Sequence, residues 1–201
     1  MDKIQKNNRN FYDSHAQKWS ANKTSSFFEE KEFTIFAKYF STGDTIIDIG
    51  CGHGRSIPLF LGIGHKLRYF GIDISKKIMR IAARRYPQLK FQYTDLTDAK
   101  TLPRKKFDGF WANASLQHIP FEHWPLAWKN IRSFSKPRAV GYIKIPEDLM
   151  SATDEDPRHF TILTDKKFHE FCKANKINIL KSGLSSTGEK KHVWRWYIIR
   201  M

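Results

Sequence analysis

Residues 45–56 read TIIDIGCGHGRS, an apolar β-branched run followed by an acid, Asp48, and glycines at positions 50, 52 and 54. Such a string predicts a buried strand, a sharp glycine turn and a helix opening behind Ser56. Glycines at alternate positions let the backbone reverse and bring a ligand against the main chain, where a Cβ would obstruct it. The carboxylate of Asp48 repels phosphate and accepts hydrogen bonds from ammonium or hydroxyl groups. The loop therefore suits a nucleoside that carries an amino acid better than a nucleotide.

Spacing separates this loop from two phosphate-binding alternatives. A dinucleotide fingerprint needs a third glycine three residues after the second, where this chain has Arg55. A P-loop needs a longer glycine loop closed by G-K-[ST], and the sequence contains none. The remaining pattern, D-x-G-x-G-x-G, resembles motif I of the class I S-adenosylmethionine-dependent methyltransferases. The plainer reading is an ordinary strand-to-helix turn.

The rest of the chain alternates β-rich and helical segments. Apolar runs recur at Thr45 to Ile49, Tyr69 to Ile72, Lys90 to Tyr93, Phe107 to Ala112 and Val140 to Ile145, with amphipathic stretches between them. That alternation predicts a parallel sheet covered by helices on both faces. Two further strands, Asn178 to Leu184 and His192 to Ile199, follow with only the turn-rich link at 185–190 between them, the pattern of an antiparallel hairpin. The expected fold is α/β and Rossmann-like: seven strands, mostly parallel, with an antiparallel C-terminal hairpin. One methyltransferase domain is expected over 1–201, divided into a helical cap (1–40), a cofactor-binding core (41–145) and a substrate-side lid with the hairpin (146–201).

Composition fits that expectation. The 201 residues are 40% hydrophobic, with 6 Trp, 7 Tyr and 16 Phe, as in a packed globule. The amino terminus MDKIQKNNRN is polar, and no stretch reaches the length of a membrane span, so a cytoplasmic protein is expected. Cys51 and Cys172, the two cysteines, support neither a disulfide framework nor a structural metal site.

Further motifs fall at strand ends, where open α/β sheets bind ligands. The second strand ends in GIDIS, with Asp73 25 residues after Asp48. A carboxylate there can accept both hydroxyls of a ribose, the plainer alternative being that it caps the helix starting near Ser75. The third strand leads into YTDLTD, where the resemblance to the class I family implies an acid, Asp95, close to the adenine amino group, and where Asp95 or Asp98 could equally be turn residues.

The fourth strand and its exit, FDGFWANASLQHIP at 107–120, resemble a bacterial branch of the class I family, of methyltransferase-domain type 11 or 25, which carries a W-A-x-A-S-L-x-H-V-P-like segment. FYDSHAQKW at 11–19, RHFTILT at 158–164 and VWRWYIIR at 193–200 extend the likeness over nearly the whole chain. KPRAVG at 136–141 departs from the usual KPGG turn, and EDLMSATDEDP departs after the fifth strand.

The resemblance implies S-adenosyl-L-methionine as the cofactor, with a role for each matching residue. Tyr12 would cover it and hydrogen-bond its carboxylate, and Trp19 would close the same face. Asp48 and Gly50 would meet the methionine ammonium, Gly52 would let the ribose and sulfonium pass, and Arg55 would pair with the carboxylate. Ile74 and Met79 would sandwich the adenine, and Leu96 would line its edge. Asn113 and Ser115 stand at the fourth-strand exit, within reach of cofactor or acceptor. His118 just beyond them is the candidate general base, with a loop-holding role as the alternative.

Charge bears on the acceptor. Formal net charge is +15, and residues 65–106 carry 12 Lys or Arg against 3 Asp or Glu. Lys77, Arg80 and Arg84 fall near one face of a predicted helix, a stripe suited to phosphates or merely to solvent. Glu147, Asp148, Asp154, Glu155 and Asp156 cluster near the expected substrate mouth and suit a cationic or neutral small molecule. The first reading is in-line methyl transfer to a small-molecule acceptor. An RNA (tRNA) methyltransferase is the second and a catalytically inactive cofactor-binding partner protein the third. The sequence leaves oligomeric state and acceptor atom open.

Overall fold

A computed structural model describes residues 3–21, 27–64, 66–147, 157–187 and 192–201. In chain order the elements are α1 (Lys3–Ala21), α2 (Phe27–Ala37), β1 (Thr45–Ile49), α3 (Ile57–Gly62), β2 (Arg68–Asp73), α4 (Lys76–Arg85), β3 (Lys90–Tyr93), β4 (Phe107–Asn113), α5 (Trp124–Ser133), β5 (Ser135–Pro146), α6 (Asp165–Ala174), β6 (Asn178–Thr187) and β7 (His192–Arg200). The strands form one sheet in the order β3-β2-β1-β4-β5-β7-β6. All neighbours are parallel except the pairs β5 with β7 and β6 with β7.

Strand order reverses between β1 and β4, so the chain departs to opposite sides there and leaves a crevice at the carboxyl ends. The glycine loop behind β1 fills the mouth of that crevice. Its glycines have the positive φ that only glycine adopts cheaply, +74° at Gly50 and +55° at Gly52.

Both faces of the sheet are covered, which explains why its central strands read as unbroken apolar runs. On one face Ile47, Phe110, Ile143 and Tyr197 pack beneath Trp124 and Trp128 of α5 and Phe168 and Phe171 of α6. On the other, Ile46, Trp111, Tyr142 and Ile198 pack beneath Phe33 and Phe36 of α2 and Phe60 of α3. Trp111 and Tyr142 stack with centroids 3.8 Å and planes 13° apart.

Two boundaries differ from expectation. The KPRAVG stretch lies inside β5, which begins at Ser135 rather than Val140, and Arg138 there takes a left-handed φ of +63°. A register shift between Phe107 and Gly109 on β4 accompanies this longer pairing. Likewise β6 continues through Thr187 into the expected link, because its pairing with β7 extends to His192.

Helix α1 is held mainly by polar side chains. Its buried residues are Gln5, Asn8 and Ala16, and its apolar contact is a small cluster of Ala16, Ile78 and Ile81 with Tyr12 and Trp19. Asp13 accepts from the Ser75 hydroxyl at 2.6 Å and the Lys77 amide at 3.1 Å, fastening α1 to the start of α4. Among the described residues no helix is long and apolar enough to cross a membrane.

Candidate active site

The loop after β1, the tips of β2 and β3, the exit of β4 and the underside of α1 enclose a cavity of about 140 Å³. Of the residues named from sequence, Tyr12, Gly50, Gly52, Asp73, Ile74, Leu96, Ser115 and His118 line it. Gln5, Asn8 and Thr94 add polar groups to the wall, and Ile49, Ile72, Ile78, Leu116 and Ile119 add apolar ones.

Asp73 organises this wall. One carboxylate oxygen accepts from the Gly52 amide at 2.8 Å and the other from the Ser75 amide at 2.8 Å, joining the β2 tip to both the glycine loop and the start of α4. The capping role goes to Ser75, whose hydroxyl accepts from the Ile78 amide. Burial raises Asp73 to about 6, with the Ser75 and Gly52 amides pulling the other way, so the carboxylate is charged at neutral pH. Each oxygen retains further lone-pair capacity toward the cavity.

The glycines make room. A Cβ on Gly50 would lie 2.5 Å from Ser115 Cβ, whereas one on Gly52 would come no nearer than 3.9 Å to Ile78 and would fill cavity space instead. Such a cradle, beside a charged acid and an apolar slot of Ile74, Ile78 and Leu96, fits a nucleoside with a polar tail.

Several expected residues sit elsewhere. Asp48 lies on the opposite side of β1, where it accepts from the buried Tyr69 hydroxyl at 2.8 Å. Burial raises it to about 7, the Tyr69 bond opposing and the charges of Asp73 and Glu29 adding to the rise. Arg55 pairs with Glu29 at 2.7 Å. Met79 packs toward the second core face and Ile78 takes its place at the cavity, a one-residue difference of helical phase. Asp95 is buried behind Leu96, with one oxygen closing a turn by accepting from the Thr97 amide and hydroxyl. Asn113 is buried at the end of β4, beside Lys144 in register, and its amide atoms have no hydrogen-bond partner among the described residues. Cys51 is buried, which pushes its thiol well above the usual range and makes it a packed small side chain.

Trp19 is also outside the cavity wall, but it helps to build the rim. The Arg158 guanidinium sits over the rings of Phe11, Tyr12, Trp19 and Phe160 at 4.6, 5.4, 5.2 and 5.0 Å. It also donates to the Tyr12 hydroxyl at 2.9 Å. The RHFT string thus braces the β4 exit. The His159 amide donates to Asn8 Oδ1 at 2.9 Å, and the Thr161 hydroxyl donates to the Ile119 carbonyl at 2.7 Å.

His118 is the meeting point of α1, the β4 exit and this string. Its carbonyl accepts from Gln5 Nε2 at 3.0 Å and Asn8 Nδ2 at 2.8 Å. Its Nδ1 is 2.8 Å from the His159 carbonyl and its Nε2 2.8 Å from the Tyr12 hydroxyl. Gln5 and Asn8 escaped the sequence reading because polar residues on a mostly polar helix look solvent-facing. Their spacing of three, with Tyr12 four further on, was the available signal of one shared face.

The basic stripe is on the surface: Lys77, Arg80 and Arg84 are exposed along α4. Of the acidic group after β5, Glu147 pairs with Arg195 at 2.5 Å, while Asp148, Asp154, Glu155 and Asp156 lie outside the described residues.

A sheet in this strand order, with a glycine loop behind β1 and an acid at the β2 tip, defines the class I methyltransferase fold. Comparison with known proteins agrees. Residues 46–138 match the type 25 family model described as "Methyltransferase domain". The trans-aconitate 2-methyltransferase of Enterobacter sp. (strain 638) is 30% identical over 157 residues, 75% of this chain and 58% of that protein. The enzyme of the same name from Azoarcus sp. (strain BH72) is 30% identical over 115 residues, 57% of this chain and 42% of that one. The chain therefore spans about half the length of these curated relatives.

Among solved structures, the Burkholderia thailandensis 1,6-didemethyltoxoflavin-N1-methyltransferase with bound 1,6-didemethyltoxoflavin and S-adenosylhomocysteine superposes with a TM-score of 0.79 at 16% identity, covering 100% of this chain and 91% of that one. The Synechocystis PCC 6803 magnesium protoporphyrin IX methyltransferase with bound S-adenosylhomocysteine gives 0.76 at 17% identity, covering 98% and 99%. Residues 46–138 of the chain thus match the type 25 methyltransferase-domain model, on a fold shared with methyltransferases solved with S-adenosylhomocysteine bound.

Proposed function

We propose that this chain transfers the methyl group of S-adenosylmethionine to a small-molecule acceptor held at the β4 exit, beneath α1. The observation that carries the reading is the enclosure itself. Gln5 and Asn8 of α1 hold the His118 carbonyl, and all three residues line the same partly open cavity as Gly50 and Gly52, a pocket suited to a nucleoside and a compact partner.

In this reading Asp73 accepts the ribose hydroxyls, Gly50 and Gly52 admit the main body of the cofactor, and Ile74, Ile78 and Leu96 flank the adenine. Ser115 and Tyr12 stand where cofactor and acceptor meet. The bound cofactor supplies a sulfonium-activated methyl, which leaves the protein to align the acceptor and exclude water. Asp48, Arg55 and Asp95 hold their own partners outside the cavity wall, Trp19 packs at the rim under Arg158, and Met79 belongs to the second core face. The names of the relatives, trans-aconitate 2-methyltransferase, put a polycarboxylate on the acceptor panel beside O–H and N–H compounds.

The test is methyl transfer from labelled S-adenosylmethionine to a panel of trans-aconitate, small amines, phenols and bulk tRNA. Labelling of a small molecule supports the proposal, and labelling of tRNA alone would replace it with the RNA reading, which the exposed Lys77, Arg80 and Arg84 stripe favours. Tight cofactor binding with no transfer to any panel member would favour a binding partner.

A further inference from the structure

The hydrogen bonds around Tyr12 run in one direction. A carbonyl can only accept, so His118 Nδ1 donates to His159 O, and in the neutral ring Nε2 is then the nitrogen that accepts from the Tyr12 hydroxyl. The Arg158 guanidinium donates to the same hydroxyl oxygen from the outer side. Tyr12 and His118 both line the cavity. A carbonyl that fixes an imidazole, which in turn accepts from a hydroxyl facing the substrate space, has the order orienter, base, hydroxyl found wherever proteins draw protons from a hydroxyl group. Arg158 adds a fixed positive charge beside the oxygen on which negative charge would develop.

We propose that Tyr12 is a catalytic residue that takes a proton from the methyl acceptor, with His118 as the positioning residue behind it, so that the acceptor class is one that arrives with an O–H or N–H. The proposal rests on the methyl-transfer reading above. As the acceptor's lone pair bonds to the methyl carbon, the electron pair of the breaking carbon–sulfur bond stays on sulfur. The acceptor's proton passes to Tyr12 Oη while the Tyr12 proton passes to His118 Nε2. The positive charge lost at sulfur thus reappears on the imidazolium, where the His159 carbonyl already holds the Nδ1 proton. His118 then returns its proton to solvent through the same hydroxyl. A carboxylate acceptor, already ionised at neutral pH, would use none of this apparatus.

The geometry also explains the attachment of α1. Tyr12 reaches His118 only while Gln5 and Asn8 grip the His118 carbonyl and Asn8 takes the His159 amide. One helix therefore walls the cavity and completes the proton path together.

The experiment uses the full chain and three readouts. Nitrogen-15 NMR of labelled histidine should show His118 protonated at Nδ1 and accepting at Nε2, and Tyr12→Phe should move the Nε2 resonance alone. The structure turns the single Tyr12 O–H toward His118 Nε2 rather than toward the cofactor carboxylate expected from sequence, so calorimetry should give Tyr12→Phe an S-adenosylhomocysteine affinity within about threefold of the parent. Labelled methyl transfer to benzylamine or catechol should fall by about 100-fold in that variant. An Nε2-protonated neutral tautomer, undiminished transfer in Tyr12→Phe, transfer to benzoate alone, or no transfer to either protonated probe would each overturn the proposal. Loss of S-adenosylhomocysteine binding by the parent chain would be a different failure, that of the methyl-transfer reading itself.

Discussion

The Asp73 carboxylate accepts the Gly52 amide at 2.8 Å, so the acid at the tip of β2 and the second glycine behind β1 form one unit. Sequence separates them by 21 residues, and the parallel pairing of Asp48 with Gly71 and Ile49 with Ile72 brings their strand ends level. Whatever binds the glycine loop therefore meets a charged oxygen held in place by the loop's own backbone.

Gly50 is where this loop tolerates least. Its φ of +74° strains any other residue, and an added Cβ would sit 2.5 Å from Ser115 Cβ, forcing the β4 exit away from the cavity. Gly50→Ala should cost about 1–2 kcal/mol from the backbone alone and should weaken cofactor binding by about tenfold or more as the exit shifts. Gly43, with φ +92° and nothing within 4 Å of its added Cβ, is the control. Gly43→Ala should show the backbone cost in thermal melts and leave S-adenosylhomocysteine affinity unchanged.

The buried pair of Lys144 and Glu32 predicts an asymmetric response. Both side chains are almost wholly shielded, their nearest atoms are 3.1 Å apart, and Glu32 also accepts from the Tyr142 hydroxyl. Lys144→Ala strands Glu32 in the core and should destabilise the fold by about 3–5 kcal/mol. The double variant Lys144→Met with Glu32→Gln keeps an acceptor for Tyr142 and should recover most of that loss in denaturant unfolding. A double variant as unstable as the single one would show that the charges themselves hold α2 to the sheet.

Asp48 predicts a pH signature. Its carboxyl is raised from 3.8 to about 7 by burial, so the folded state keeps a proton that the unfolded chain releases near pH 4. This contribution to stability is present below that point and is lost as pH climbs to about 7, a change on the order of 4 kcal/mol. Asp48→Asn retains an acceptor for Tyr69 and removes the titration. The variant should unfold like the parent near pH 4 and should be the more stable of the two at about pH 8, as measured by urea denaturation. Parallel pH profiles would show that Asp48 is not buried as described.

Much of this was legible in the sequence because the signals were local. Alternation of apolar runs with helical segments gave the sheet, and glycine spacing with strand-end acids located Gly50, Gly52 and Asp73. What stayed hidden was long-range or a matter of phase. Nothing near Asp48 announces that Tyr69 will claim it, and Arg55 looks available until Glu29 of α2 packs beside it. Met79 and Ile78 are equally apolar, and a helix turns 100° between them, so only packing against α1 decides which one faces the cavity. The KPRAVG stretch keeps turn character inside β5: Ser135 pairs with Phe107 and Val140 with Gly109 and Arg200, while Arg138 between them takes a left-handed φ of +63°.

The most direct test of the whole account is calorimetric titration of S-adenosylhomocysteine into the parent chain and into Asp73→Ala. The account predicts one binding site per chain in the parent and a loss of about 1–3 kcal/mol in the variant, a drop of roughly 5- to 150-fold, through removal of charge-assisted hydrogen bonds to the ribose. No binding by the parent, or equal affinity in a folded Asp73→Ala, would contradict it.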